Sequence, residues 1–409
     1  MKILKANYIY QDGKYIENSA IVFDKKIVDI DTVDNIIEKY PNIEIEKLAS
    51  NSVIFPGFIN THVHLEFSSN KTTLEYGSFI GWLRSVISNR EDIINDSDNK
   101  NIRVAIYDML ASGITAYGAI SSYGGELEES IKAKQKVVFF NELIGSNPQT
   151  VDMLYNDFLE RLELSSKYKK ENITPAIAIH SPYSVHPIVV KRAISLAKER
   201  NIPLSTHFLE SSSEKEWLSQ GEGEFKEFFE EFLNQSSPAT NKDDFLDLFN
   251  GYSTHLTHAV EIDDDDIDKI SKNSHTIAHC PRSNRYLGGK PLPLKKIIDK
   301  NIAFTTATDG MSSNYSLNIL DELKSALMIH HNIDINILAD KLIESITKNA
   351  NDILGLNSGV LEKGRDSDIV VITLPNEVKS TKQISLWTIL HTNEANRVYI
   401  DGKIAYQKI

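Results

Sequence analysis

The chain has 409 residues, of which 41% are apolar and 25% are charged, and its formal net charge at pH 7 is -13. This length suits one large barrel with a small additional domain. The acidic balance argues against nucleic acid as a partner, because a surface that binds phosphate groups is basic. No apolar stretch is long enough to span a bilayer, and the N-terminus has no signal-peptide pattern. The single cysteine, Cys280, excludes an internal disulfide and favours a reducing compartment. We therefore expect a cytoplasmic protein without a membrane partner.

Both ends of the chain carry the pattern of short strands joined by tight turns. Near the N-terminus, KILKANYIY and AIVFDKKIVDI are separated by an Asp-Gly pair at 12–13, and near the C-terminus NRVYIDGKIAYQKI contains another at 401–402. An Asp-Gly pair between alternating apolar runs is typical of a β-hairpin. We predict a composite β-sandwich domain from residues 1–55 and 357–409, which encloses a catalytic domain over residues 56–356.

The middle of the chain alternates short apolar runs with amphipathic stretches such as VKRAISLAKER at 190–200. Another is GEGEFKEFFEEFLNQ at 221–235, whose phenylalanines we expect to pack rather than to bind ligand. We assign the first strand to the run at 52–55, which precedes a Pro-Gly pair at 56–57. Eight alternating strand and helix units predict a (β/α)8 barrel, so the predicted fold class is α/β, a TIM-type barrel with the small β-sandwich domain. The other seven predicted strands are residues 114–120, 137–144, 174–180, 203–209, 252–258, 275–280 and 302–310.

Imidazoles and carboxylates recur where the predicted strands end, and the C-terminal ends of the strands carry the active site in barrel enzymes. The first strand is followed by PGFINTHVHLE, in which His62 and His64 lie two residues apart and therefore face the same side of an extended segment. Imidazole nitrogens suit zinc, iron, copper or nickel, whereas the alternative for an isolated H-x-H is two surface histidines on a loop. The polar residues at the other strand ends are His180, His207, Glu210, His258, His279 and Asp309.

The motifs PGFINTHVHLE, HFLE, THAVEIDDDD, HCPRSN, TDG and GVLEKGRDSDIVVI extend over nearly the whole chain. Together they resemble the amidohydrolase superfamily, in particular its mononuclear deaminase and chlorohydrolase branch. The resemblance implies one divalent metal ion, zinc or iron, bound by His62, His64, His207 and Asp309. It implies a single ion because the fourth strand, TPAIAIHSPYS, lacks the lysine that bridges two metals in the binuclear branch.

The same resemblance assigns catalytic roles. A divalent ion lowers the pKa of a bound water from about 16 toward about 7. Glu210 lies three residues after His207, as in the H-x-x-E of the family, and is expected to act as general acid and base. His258 is expected to orient the attacking water, and Asp309 to accept a proton from it as well as to bind metal. The spacing to EIDDDDI matches the family for His258 and not for His255, which we expect inside the barrel or in its wall.

Three stretches indicate an adenine nucleoside with a bulky or anionic 5′ substituent. They are HSPYS at the end of the fourth strand, GSFIGWLRSVI at 77–87 and HCPRSNR at 279–285. An arginine in the last two stretches can bind a carboxylate through two hydrogen bonds. The alternative is that the aromatic residues pack and the arginines form salt bridges. The candidate substrate contacts are His180, Phe79, Trp82, Arg84, Arg282, Ser283 and Asn284.

Within this branch the chain is most similar to the deaminases of 6-amino-6-deoxyfutalosine, which act in menaquinone synthesis on an adenine nucleoside with a benzoate-type tail. That resemblance implies a small-molecule nucleoside substrate and suggests a homodimer. The first alternative is a deaminase of S-adenosylhomocysteine or methylthioadenosine, followed by another amidohydrolase-type deaminase or chlorohydrolase. A non-catalytic relative is a further alternative, which the presence of Glu210 and of all four expected metal ligands argues against.

Overall fold

Two eight-stranded sheets organise the part of the chain that the structure, a computed structural model, describes: residues 1–69, 72–96, 98–169 and 171–409. One sheet contains strands from both ends of the chain, and the other contains only strands from its middle. The strands are β1 (Lys2–Gln11), β2 (Lys14–Phe23), β3 (Ile27–Thr32), β4 (Ile45–Lys47), β5 (Ser52–Pro56), β6 (Phe58–Val63), β7 (Ile114–Ser121), β8 (Lys136–Leu143), β9 (Ile173–Ile179), β10 (Leu204–Phe208), β11 (His255–His258), β12 (Thr276–His279), β13 (Phe304–Thr306), β14 (Ile369–Thr373), β15 (Arg397–Ile400) and β16 (Lys403–Gln407).

Helices connect most of the strands of the middle sheet. One of them, α11, begins with a reciprocal cap in which the side chains of Asp263 and Asp266 each accept the backbone N–H of the other residue. None of the helices in the described ranges has both the length and the apolar composition that crossing a bilayer requires. The helices are α1 (Val33–Lys39), α2 (Phe79–Ser88), α3 (Arg90–Asp96), α4 (Asn99–Ala111), α5 (Leu127–Lys132), α6 (Val151–Ser166), α7 (Pro187–Arg200), α8 (Ser212–Gln220), α9 (Glu224–Leu233), α10 (Lys242–Leu248), α11 (Asp264–Lys272), α12 (Pro281–Tyr286), α13 (Leu294–Asp299), α14 (Ile319–Ile329), α15 (Ile335–Ser345), α16 (Lys348–Leu354) and α17 (Ile384–His391), with short 3-10 turns at Leu65–Phe67 and Thr381–Gln383.

The middle sheet is the predicted barrel. Strands β6 to β13 lie side by side in chain order, and every neighbouring pair is parallel. The first and last strands meet where the backbone N–H of Asp309 donates to the carbonyl of His62 at 3.1 Å and the hydroxyls of Thr61 and Thr305 lie 2.7 Å apart. The prediction of an α/β barrel is therefore confirmed. Apolar side chains from alternate positions fill its interior, among them Ile59, Val138, Phe140, Ala176 and Ala178.

The predicted first strand is wrong. The run at 52–55 belongs to β5, which pairs with β1 and β14 in the sheet of the two termini, and the barrel begins at β6. Gly57 lies between them and donates its backbone N–H to the carbonyl of Asp368 at 2.8 Å. A Cβ at Gly57 would lie 2.0 Å from the hydroxyl oxygen of Thr115, so only glycine fits this junction. Both strands are fully buried, so hydrophobicity alone does not separate them.

The sheet of the two termini contains β1 to β5 together with β14, β15 and β16. The two predicted hairpins are present, and their Asp-Gly turns at 12–13 and 401–402 have the positive φ angles that a tight type I′ turn requires. One edge of β1 pairs with β2, and the other pairs with β4 at its start and with β5 near its end. A small β domain built from both termini is thus confirmed, whereas the boundaries at 55–56 and 356–357 stay a prediction.

Lys136 connects the two sheets at the N-terminal end of β8. Its ammonium group lies 2.8 Å from a carboxylate oxygen of Asp366, 2.7 Å from one of Asp368 and 3.3 Å from one of Asp401. The side chain of Asp368 is fully buried, so its charge depends on this contact. The base of the barrel is therefore attached to the C-terminal strands by a charge cluster as well as by apolar packing.

Replacing Lys136 by methionine is expected to lower the free energy of unfolding by about 3 kcal/mol, because the substitution leaves the buried Asp368 carboxylate without its cation. Thermal and urea midpoints measure the change. The matched control is Lys300→Met, which removes an exposed pair with Asp268 at 2.6 Å and should leave the midpoints near those of the wild type. Equal midpoints for the two variants would contradict the structural role given to Lys136.

Candidate active site

A cavity of about 450 Å³ opens at the C-terminal ends of the barrel strands. This volume lies in the range of sites for small molecules. Strand-end residues that include His64, His207, Glu210 and Asp309 form one part of its lining. Side chains of α2 and α9 form an apolar part, with Trp82, Leu83, Val86, Phe228, Phe229 and Phe232.

Four of the predicted site residues converge at this cavity, although they come from three strand ends. Three of them line it, and His62 is buried beside them. His62 is on β6, His64 directly follows that strand, His207 is on β10, and Asp309 follows β13. The Nε2 atoms of His64 and His207 lie 3.3 Å apart, and one carboxylate oxygen of Asp309 lies 3.7 Å from Nε2 of both His62 and His64. Potential ligand atoms of the three histidines all lie within 4.8 Å of one another. The arrangement places three nitrogens and one oxygen around a common point.

The hydrogen bonds of these histidines leave the converging nitrogens free to bind a cation. Nδ1 of His207 lies 2.7 Å from the carbonyl oxygen of His180, which can only accept, so Nδ1 carries the proton and Nε2 a lone pair. Nδ1 of His62 contacts the hydroxyl of Thr257 at 3.2 Å, whereas its Nε2 is buried and has no hydrogen-bond partner among the described residues. Burial, followed by the neighbouring imidazoles, lowers the pKa of His62 and of His207 and keeps both neutral. This donor set fits a divalent ion.

Asp309 is held as a carboxylate by donors on both of its oxygens. The hydroxyls of Ser283 and Ser313 donate to Oδ2 at 2.6 and 2.9 Å, and the backbone N–H of Gly310 donates to Oδ1 at 2.8 Å. Burial would raise the pKa of Asp309, but the neighbouring histidines and the two hydroxyls outweigh burial and lower the pKa. An ionised Asp309 therefore directs Oδ1 toward the histidine nitrogens.

Glu210 and His258 form a second pair beside this cluster. Oε1 of Glu210 lies 3.3 Å from Nε2 of His258, and Nδ1 of His258 lies 2.8 Å from the amide oxygen of Asn284. That oxygen can only accept, so the proton of His258 is on Nδ1 and its Nε2 is an acceptor. Burial, followed by the charge of Asp309, raises the pKa of Glu210 well above its ordinary value. The raised pKa favours the protonated form of Glu210, which suits a proton donor.

Three of the strands that lead to site residues end at, or are followed by, a residue with a positive φ angle, which turns the chain at the cavity. Leu209 has a φ of 49°, His258 of 72° and Asp309 of 58°. A non-glycine residue in this region costs about 1–3 kcal/mol and persists only where its surroundings hold it. At the first of the turns, Glu214 accepts the backbone N–H groups of Leu209 and Glu210 at 3.1 and 2.8 Å. Glu214 was not expected from the sequence, and burial raises its pKa to about 7.

Two of the seven candidate substrate contacts line the cavity, and the other five do not. His180 does so at the end of β9, and burial lowers its pKa to about 4. Trp82 also does so, and its indole N–H donates to the carbonyl of Ser312 at 2.9 Å. Phe79 is a correction, because it is buried behind the wall with its ring 5.4 Å from that of Trp82 and 5.9 Å from that of Phe225. Phe79 supports the wall and does not form its surface.

Neither candidate arginine lines the cavity, so both assignments are corrected. Arg84 on α2 pairs with Glu231 on α9, and its guanidinium lies 5.8 Å from the centre of the Phe228 ring. Arg282 is only 3% exposed and donates to Glu322 at 2.6 Å. Helix α12 directs Arg282 toward α14 and away from the cavity. The salt-bridge alternative therefore holds for both arginines.

Ser283 and Asn284 are also corrected, because they act behind the cavity surface. The hydroxyl of Ser283 donates to Asp309, and the amide oxygen of Asn284 faces His258. Both side chains are buried. They position site residues and are not part of the cavity lining.

The phenylalanines of α9 pack as expected, but three of them also form the cavity surface. Phe225 is fully buried, whereas Phe228, Phe229 and Phe232 line the cavity. The face of α9 that carries these three rings is apolar. The sequence does not show whether an apolar helix face packs against another element or borders a cavity. The expectation that these rings only pack is therefore incomplete.

Glu142 and Arg90 line the cavity and were missed by the sequence analysis. Glu142 is the last inward-facing residue of β8, two positions beyond Phe140 and four beyond Val138, which both face the barrel interior. Alternate residues of a barrel strand face the interior, and a polar residue at the last of these positions lies at the active-site end. This pattern could have identified Glu142 from the sequence. Arg90 is the first residue of α3, and nothing in its local sequence marks it.

Residues 53–405 match the model of the amidohydrolase family. An aminodeoxyfutalosine deaminase of a Nitratiruptor species is 46% identical over 403 residues, which are 98% of this chain and 99% of that protein. An adenosine deaminase of Helicobacter pylori is 35% identical over 95% of both chains. The crystal structure of H. pylori aminofutalosine deaminase in complex with methylthio-coformycin has a TM-score of 0.95 at 32% identity and covers 99% of this chain and 100% of that one.

Replacing His207 by alanine is expected to lower the metal content of protein saturated with a divalent cation by at least about tenfold, because it removes one of the converging nitrogens. Elemental analysis after dialysis measures the metal. The matched control is His331→Ala, an exposed histidine outside the cavity that should leave the content unchanged. Equal metal in both variants would contradict the placement of the cation.

Proposed function

Because the chain belongs to the amidohydrolase family, we propose that it is a deaminase that replaces the 6-amino group of an adenine nucleoside by a 6-oxo group and releases ammonia. We propose 6-amino-6-deoxyfutalosine, an intermediate of menaquinone synthesis, as its preferred substrate. The observation that carries the proposal is the buried Glu210 at 3.3 Å from His258, next to the cluster of three histidines and Asp309 at the same cavity. The similarity over the whole chain to the aminodeoxyfutalosine deaminase of Nitratiruptor supports the choice of substrate.

The proposed cofactor is one divalent ion, zinc or iron, held by His62, His64, His207 and Asp309. The unpartnered Nε2 of His62 supports this set of ligands. A bound ion of this kind supplies an activated water for attack on the purine ring. The sequence of β9, ITPAIAI, contains no lysine that would bridge a second ion, which supports a single metal.

Glu210 is the proposed proton carrier. In the first step it donates its proton to the ring nitrogen adjacent to the carbon that the water attacks. Glu210 and Asp309 then take one proton each from the water. The proton on Glu210 passes to the departing amine, and the proton on Asp309 passes to Glu210 and restores its starting state. The products are the 6-oxo purine, protonated on the ring nitrogen, and ammonia. His258, held by Asn284 with Nε2 unprotonated, accepts a hydrogen bond from the water and fixes its direction of approach.

The shape of the cavity supports a nucleoside with a large 5′ substituent. With the purine at the histidine cluster, a 5′ tail extends to the apolar wall formed by Trp82, Phe228 and Phe232. Arg90 lines the same cavity, and its guanidinium lies 4.7 Å from the centre of the Tyr123 ring. We assign to Arg90 the recognition of a tail carboxylate, in place of Arg84 or Arg282.

A deamination assay tests the proposal. Metal-loaded protein is supplied with aminodeoxyfutalosine, methylthioadenosine, S-adenosylhomocysteine and adenosine, and the ultraviolet change from adenine to hypoxanthine is followed. We expect the highest kcat/KM for aminodeoxyfutalosine. A higher value for adenosine or for a thioether nucleoside would overturn the proposed substrate but not the proposed reaction. The 35% identity to an adenosine deaminase favours adenosine as the alternative substrate. Inactivity on all four would overturn the reaction on adenine nucleosides.

Replacing Glu210 by glutamine is expected to lower kcat by about 100-fold to 10,000-fold, because the amide carries no transferable proton. Metal content should stay at the wild-type level, because Glu210 is outside the proposed set of ligands. The control is Glu216→Gln, an exposed residue of the adjacent helix α8, which should keep full activity. Wild-type turnover by Glu210→Gln would show that another group carries the proton.

Replacing Arg90 by methionine is expected to lower kcat/KM for aminodeoxyfutalosine by about 10-fold to 100-fold, because a charged hydrogen-bonded pair with the tail carboxylate is lost. Methylthioadenosine lacks that carboxylate and should be processed as by the wild type. Arg84→Met is the matched control, since Arg84 lies outside the lining and pairs with Glu231. A similar loss for both substrates would argue for a structural role of Arg90.

We further propose that the enzyme acts in the cytoplasm and as a homodimer. Cys280, the single cysteine of the chain, is fully buried and unpaired, which supports a reducing compartment. Light scattering coupled to size exclusion measures the oligomeric state, and the mass of one chain would overturn the dimer.

A further inference from the structure

Glu142 is a buried carboxylate in the cavity lining that the proposed chemistry leaves unused. Its side chain is fully buried, and Oε1 has no hydrogen-bond partner among the described residues. Oε2 accepts a hydrogen bond from the hydroxyl of Ser122. A buried carboxylate oxygen without a donor is unfavourable. The lining therefore contains a carboxylate oxygen that has a hydrogen-bond partner only when a group in the cavity donates to it.

Glu142 does not support a metal-binding histidine. Within the described residues its ion-pair contact is Nδ1 of His207, and the two atoms are 3.8 Å apart. That distance is too long for a hydrogen bond. Nδ1 of His207 already donates to the carbonyl of His180 at 2.7 Å, so its one proton is in use. The carboxylate thus has no partner within the metal cluster.

Glu142 does not belong to a second metal site either. Glu142, His180 and His207 lie close enough together to be considered as ligands. However, Nδ1 of His180 is 2.6 Å from the hydroxyl of Ser184, and Nε2 of His207 faces His64 at 3.3 Å, where the first ion is proposed. A second cation would find no free nitrogen on His207. The free oxygen of Glu142 therefore suits a neutral donor such as a hydroxyl group.

We propose that Oε1 of Glu142 accepts a hydrogen bond from a sugar hydroxyl of the bound nucleoside; this inference rests on the proposed function. With the base at the histidine cluster and the 5′ substituent at the apolar wall, the sugar lies between them, and Glu142 lines the cavity beside His207. The carboxylate is fixed for this task by Ser122. The loop that carries Ser122 is held in turn by Glu66, which accepts the backbone N–H groups of Ser122 and Tyr123, each at 2.8 Å.

The test compares adenosine with 2′-deoxyadenosine and 3′-deoxyadenosine, using the full-length, metal-loaded enzyme. Wild-type enzyme should prefer adenosine to at least one deoxy analogue by about 10-fold to 100-fold in kcat/KM, the size expected for a hydrogen bond to a carboxylate. In Glu142→Ala the preference should fall to within about threefold, and in Glu142→Gln, which keeps a weaker acceptor, it should be intermediate. Each variant serves as its own control, because a folding defect lowers all three values together.

The other outcomes separate the possible failures. An equal loss on all three nucleosides overturns the inference and leaves Glu142 a structural role. Loss of metal from Glu142→Gln overturns it in favour of a second cation. A wild-type enzyme that processes adenosine and both deoxy analogues equally also overturns it, while the deaminase proposal stands. If the wild type deaminates no nucleoside at all, the proposed function fails, and this inference fails with it.

Discussion

The hydrogen bond from the backbone N–H of Asp309 to the carbonyl of His62 joins the last barrel strand to the first, and the site depends on it. His62 and Asp309 are separated by nearly the whole barrel in sequence, yet closure places one oxygen of Asp309 within 3.7 Å of two histidine nitrogens. The donors on Asp309 and the hydrogen bonds of His62 and His207 then set which atoms face the common point. The geometry of the cluster is thus a property of the closed barrel, because no single segment contains more than two of its members.

Around this cluster, each functional side chain has a second residue that fixes it. Asn284 sets the proton of His258, Ser283 and Ser313 donate to Asp309, and Glu214 holds the backbone that presents Glu210. Several of these supports are themselves buried polar groups, which are stable only when every partner is present. The positive φ angles at three strand ends add conformational cost. The free energy that offsets the buried polar groups and the positive φ angles comes from the large apolar core. A smaller domain buries less apolar surface and would not tolerate such strand ends.

Residues at strand ends were predictable, because parallel barrel strands end at one face and motifs such as H-x-H mark them. The convergence of His62, His64, His207 and Asp309 followed from this rule and from the family resemblance. The boundary between β5 and β6 was not predictable, since both strands are buried in adjoining sheets and share one apolar stretch. The direction of Arg84 and Arg282 was not predictable either, because it depends on which helix packs beside each of them. Glu142 was within reach of the alternation rule, whereas Arg90 required the position of α3.

The pairing of β5 with β14 has a consequence for how the chain folds during synthesis. β5 leaves the ribosome before any barrel strand, but β14 is made only after the last of them. Until then the β1–β2 hairpin and β5 present an open edge, while all eight barrel strands are already available to close. The sheet of the two termini is therefore the last part of the molecule to be completed. A chain truncated after α16 would contain every barrel strand, but its sheet of the two termini would lack β14, β15 and β16.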